Sequence, residues 1–183
     1  MPAALLAALL LAAPSDGALT FDAAAGSTLS YRLVHEFHTV TGVSRAVEAR
    51  ARLHPDGRLQ VMVRVPVESF DSGNSNRDAH MREAVEAAAH PFVVFRGVAA
   101  DAWPASVPGD LAVPLRGELT FKGLTRPLSP TVHVRFETGR RALVEGSFPV
   151  SLEAFGVERP SLLFVKVEDR IEIGLHLALE AEP

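Results

Sequence analysis

The densest run of chemistry-bearing side chains is SFDSGNSNRDAHM, residues 69–81. Ser72, Asp78 and His80 are the residue types of a nucleophile, an orienting carboxylate and a general base. Their closeness along the chain is not triad geometry, and on a helix residues two apart diverge. The run reads first as structure, with Asn76 or Asp78 capping a helix and Arg77 pairing with a carboxylate. A second reading gives Arg77, Asp78 or His80 a polar head group to hold. A third, a hydrolase or isomerase using Asp78 and His80, is kept as the enzymatic alternative. His35 and His38 suggest metal binding, but H-E-x-x-H needs its histidines at i and i+4 on a helix. On one strand, residues three apart face opposite ways. The sequence has no Cys, which excludes thiol nucleophiles and thiolate metal sites. It also has no G-x-S-x-G elbow, G-x-G-x-x-G loop or Walker loop. No catalytic residue, metal ligand or cofactor is assigned.

The elements that must position these residues are mostly strands. Leu59, Val61, Val63, Val65 and Val67 share one strand face with Gln60, Arg64, Pro66 and Glu68 on the other, and Ile171, Ile173, Leu175, Leu177 and Leu179 lie opposite Arg170, Glu172, His176 and Glu180. The stretches 47–53, 113–121 and 132–136 follow the same rule. One apolar and one solvated face is the signature of an antiparallel sheet. Pro55-Asp56-Gly57, Lys122-Gly123 and Thr138-Gly139 supply turns between the runs. Strands are expected near 19–23, 28–35, 42–54, 58–68, 92–101, 112–122, 128–137, 142–151 and 168–180. Long strands joined in succession favour an all-β, up-and-down antiparallel barrel of about eight strands. Met81, Ala84, Val85 and Ala88 recur at helical spacing, predicting one short amphipathic helix over 78–89 that Pro91 ends. A helical turn is expected near 152–157.

Residues 3–13 (AALLAALLLAA) are an unbroken apolar run, too short for a bilayer span of about 20 residues. With the small residues that follow, it reads as a signal peptide over 1–17, leaving a domain over 18–183. The expectation is a protein that is periplasmic or otherwise exported, without stable membrane insertion. A net charge of −4 argues against a nucleic-acid partner, which calls for a basic face.

A barrel of this size can be filled by its own side chains or can hold one small ligand. Strand alternation requires an apolar inside in either case. Ten Phe against one Trp and one Tyr suit an apolar core or an acyl-type pocket better than a sugar site.

Five segments in order resemble the YceI family of lipocalin-like periplasmic proteins that bind polyisoprenoids or related long-chain lipids. They are residues 30–42 (SYRLVHEFHTVTG), 69–81 with its Arg-Asp-x-His step, 90–95 (HPFVVF), 117–127 (GELTFKGLTRP), and the pair 155–157 (FGV) and 167–171 (VEDRI). His90 stands where the family often has Tyr. The resemblance implies a lipocalin-like barrel that carries a long apolar ligand in its interior, without enzymatic activity, and that can pair as a homodimer. Fifteen buried methylenes would contribute roughly 12 kcal/mol gross, against an association cost of about 4–15 kcal/mol. Candidate ligand contacts are Phe37, Phe70, Met81, Val85, Phe95, Phe121 and Phe148, with Arg77, Asp78 and His80 for the head group. A ligand-free stress or interaction module with a filled barrel is the remaining alternative.

Overall fold

The computed structural model describes residues 17–35, 38–103, 110–159, 161–162, 165–166 and 168–182. Of the expected leader only Gly17 falls within this set. In chain order the elements are β1 (Leu19–Ala23), β2 (Thr28–His35), β3 (His38–Ser44), β4 (Glu48–Leu53), β5 (Leu59–Pro66), α1 (Ser75–Ala84), β6 (Phe92–Ala99), β7 (Leu111–Phe121), β8 (Leu124–Leu128), β9 (Thr131–Thr138), β10 (Arg141–Ser151), β11 (Ser161–Leu162), β12 (Val165–Lys166) and β13 (Arg170–Ala181). Short 3₁₀ turns cover Val67–Ser69 and Glu153–Phe155, the latter inside the expected turn. Strands β11 and β12 form a separate two-stranded ribbon.

The remaining strands make an eight-stave antiparallel barrel, each stave paired with its neighbours in sequence. Strands β1 and β2 both lie along β13, so together they form the first stave and close the barrel. Strands β3 and β4 form the second stave, pairing with β2 and β1. Strands β8 and β9 share one stave along β7. The strand expected over 42–54 is thus split, and 19–23 and 28–35 are one stave rather than two.

Serines mend these breaks. Ser27 Oγ donates to the Ala178 carbonyl and accepts from the Ala178 amide, both at 3.1 Å, in place of a ladder partner. Ser44, fully buried, accepts from the Ala46 amide at 3.1 Å and shares a 2.7 Å hydrogen bond with Ser69 Oγ. Buried polar groups of this kind must be paired, and here they are. At the closing seam Arg50 forks onto Asp22 at 2.7 and 2.9 Å and reaches Glu182 at 3.0 Å. The guanidinium holds the Asp22 carboxyl below the usual carboxylate range. The pair is about a third exposed, so its contribution to stability is small, on the order of 0.2–1 kcal/mol.

Gly97 and Gly117 face each other across β6 and β7. A Cβ on Gly117 would meet the Arg96 carbonyl oxygen and stand 2.6 Å from Gly97 Cα. One on Gly97 would stand 2.8 Å from Phe95 Cζ. The pair lets the two strands approach closely and leaves the inner volume to the Phe95 ring.

The helix differs from its sequence expectation of 78–89. Asn74, not Asn76 or Asp78, is the cap: its side chain accepts from the Arg77 amide at 3.1 Å. Asp78 lies within the helix because its carboxylate is drawn back to Ser72. The helix ends at Ala84, and Glu86 takes a positive φ of 54° as the chain turns toward Pro91. His35 and His38 also differ from the single-strand reading. They sit on neighbouring strands, paired in register where β2 ends and β3 begins.

Candidate functional site

Apolar packing collects at the two ends of the barrel, not uniformly along it. One cluster joins Phe21, Val113, Val134, Val144 and Leu177; the other joins Val67, Val85, Val150, Phe155 and Ile171. Phe95 packs against both. Between them Val61, Val63, Phe148 and Ile173 sit on inner faces yet stay only half-buried. They border a cavity of about 730 Å³ lined predominantly by aliphatic and aromatic side chains. That volume falls inside the roughly 300–1,000 Å³ range of small-molecule sites. The barrel is therefore not a filled core.

The two ends of the cavity differ in chemistry. At the floor the Trp103 ring meets Phe136 edge-on at 5.9 Å, and Phe136 meets Phe21 at 6.1 Å. The Trp103 amide donates to the Gly57 carbonyl at 2.7 Å, fixing this residue to the β4–β5 turn. At the other end Asn74, Asn76 and His80 are exposed and also line the cavity, so it opens beside α1. Arg77 lines the same mouth.

The mouth is held by a compact polar circuit. Asp78, buried at 6% exposure, accepts from the Ser72 amide at 3.2 and 3.3 Å and from the Ser72 hydroxyl. Arg77 donates Nε to Ser72 Oγ at 2.9 Å and Nη2 to the Ser72 carbonyl at 2.6 Å. Every polar group of Ser72 is engaged, which ties the loop before α1 to the helix itself. Beyond the helix, Lys122 Nζ bridges Glu86 at 3.1 Å and the Gly156 carbonyl at 2.6 Å.

The structure brings most of the sequence-derived candidates together. Phe70, Arg77, His80, Met81, Val85, Phe95, Phe121 and Phe148 all line the cavity. Asp78 does not; its carboxylate serves Ser72. Phe37 lies outside the described residues. Sequence reasoning missed Tyr31, Trp103, Asn74 and Asn76, which line the cavity too. Tyr31 was detectable from its parity with Leu29 and Leu33. Trp103 has no such signal, because it sits in a connection and not on a strand.

The enzymatic alternative needs His80 within reach of a carboxylate as well as the cavity. Among the described residues, no hydrogen bond or ion pair joins His80 to a carboxylate. No group of three His, Asp or Glu among the described residues could hold a metal ion. No described helix is long and apolar enough to cross a membrane.

Comparison with solved structures finds the same barrel elsewhere. A polyisoprenoid binding domain from Saccharophagus degradans, implicated in plant cell wall breakdown, superposes with a TM-score of 0.71 at 15% identity, covering 90% of this chain and 99% of that one. Burkholderia cenocepacia BcnA gives 0.65 at 21% identity, covering 83% and 95%. The Campylobacter jejuni YceI protein gives 0.62 at 14% identity, covering 82% and 89%. No curated protein matches the sequence. The YceI-like domain model matches residues 19–179, nearly the whole of the barrel just described, and by that match the chain belongs to the YceI-like family.

Proposed function

We propose that this protein is an exported carrier that holds one long-chain apolar ligand, a polyisoprenoid or a similar amphiphilic lipid, inside its barrel. The observation that carries this reading is the 730 Å³ cavity, lined predominantly by apolar side chains and carrying Asn74, Asn76, Arg77 and His80 at its mouth. At about 30 Å³ per water-sized group, it takes on the order of 24 non-hydrogen atoms. Twenty buried methylene-sized groups would contribute roughly 16 kcal/mol gross, against an association cost of about 4–15 kcal/mol. A short chain would not offset that cost, so the site favours a long one. The head lies at the mouth beside Arg77, Asn74, Asn76 and His80, and the tail runs toward Trp103. The description of the Saccharophagus degradans domain as polyisoprenoid binding supports the same ligand class. The apolar run at residues 3–13 supports export, to a compartment where a water-insoluble cargo must cross an aqueous gap.

Native mass spectrometry of protein recovered from the exported fraction tests the reading. The expected result is an added mass in the range of a long isoprenoid or acyl chain, removed by organic extraction. Protein that is empty, and stays empty when offered long isoprenoids and fatty amphiphiles, would overturn it.

A further inference from the structure

The one tyrosine of the chain is placed unlike the other aromatic residues of the cavity. Tyr31 lies on the inner face of β2, opposite Gly42 on β3. Its ring lies across Gly42, where a Cβ would stand 2.7 Å from Tyr31 Oη. Only glycine leaves that room. The far side of the ring packs on Phe70 at 5.5 Å. The hydroxyl is thus carried across the strand pair toward the end of the barrel that holds Arg77 and Asp78.

Neither charged neighbour takes that hydroxyl. Asp78 and Arg77 are both committed to Ser72. Among the described residues Tyr31 Oη has no hydrogen-bond partner, and it is not among the polar atoms sealed from access. A half-buried hydroxyl in an apolar cavity, accessible and unpaired, is a donor waiting for an acceptor.

We propose that Tyr31 is a specificity-determining residue, donating a hydrogen bond to an oxygen acceptor carried where the head of the ligand meets its apolar chain. The inference rests on the carrier reading above and narrows it: the preferred cargo is oxygen-bearing at that point, not bare hydrocarbon. Burial, and then the charge of Asp78, raise the Tyr31 pKa, so the phenol stays a neutral donor.

The test uses a long-chain 2-ketone and the n-alkane of equal length, each displacing a fluorescent fatty probe from the full chain and from Tyr31→Phe. The ketone accepts a hydrogen bond and the alkane cannot. Phe keeps the ring over Gly42, so alkane affinity and the circular dichroism spectrum should not change. Wild type is expected to prefer the ketone, and Y31F to lose about tenfold of that preference. Unchanged ketone preference in Y31F, with alkane binding intact, would overturn the Tyr31 inference alone. If neither compound displaces the probe from wild type, the carrier reading fails, and this inference with it.

Discussion

Val63→Trp should abolish ligand uptake while leaving the barrel folded. Val63 faces inward midway along β5, between Ala49 on β4 and Phe95 on β6. It is only half-buried because it borders the cavity, so an indole has space to enter without displacing backbone. The ring would take the place of about six methylene-sized groups of ligand, roughly 5 kcal/mol. Affinity for a long-chain amphiphile should therefore fall by more than a thousandfold. Thermal stability should hold or rise, since the added ring fills a void. The same substitution at Val94, on the outer face of β6, should leave binding unchanged. Probe displacement and a thermal melt measure both effects. Wild-type affinity in V63W would place the ligand somewhere other than the cavity.

Asp78→Ala should destabilise the protein by about 3 kcal/mol, the second large effect expected. The substitution leaves the Ser72 amide and hydroxyl without their acceptor, and hydrogen bonds to charged groups contribute roughly 1.5–3 kcal/mol each. Arg77 would also lose the fixed Ser72 oxygen against which it is oriented. Urea unfolding should show a lower midpoint, whereas Ser72→Ala should have a smaller effect. An unchanged midpoint combined with lost ligand binding would reverse the assignment and return Asp78 to the head group.

The sequence exposes this fold where alternation is long. Strand β5 carries Leu59, Val61, Val63 and Val65 at every second position and β13 carries Ile171, Ile173, Leu175, Leu177 and Leu179, and those residues face inward. The interrupted staves are harder to read, because the ladder at Ser27 and Ser44 is completed by side-chain hydroxyls in an apolar pattern that simply stops. The helix starts three residues before its sequence expectation and ends five before it, for a related reason. Asn74, Asn76 and Asp78 are all competent caps; Asn74 takes the role by accepting from the Arg77 amide, and the Asp78 carboxylate is engaged by Ser72 instead. For the site, the phenylalanines could be named because motif position and apolarity both marked them. Whether the space between them is filled could not be read, since a packed core and a cavity require the same alternation. Tyr31 shows the same limit: its parity is visible, but the open space over Gly42 and the commitment of Asp78 to Ser72 exist only in three dimensions.

In the proposed carrier one long chain enters beside α1 and runs to the floor. Trp103 is the single tryptophan and lines that floor, so its emission reports the far end of the cavity. A titration of delipidated protein with amphiphiles of one head group and increasing chain length is the most direct test. Trp103 emission is expected to stay unchanged with short chains and to shift once the chain is long enough to span the cavity. V63W adds a second indole, so the comparison belongs to the wild-type chain. A shift of equal size for short and long chains, or none at any length, would contradict a tail lying along the barrel axis against Trp103.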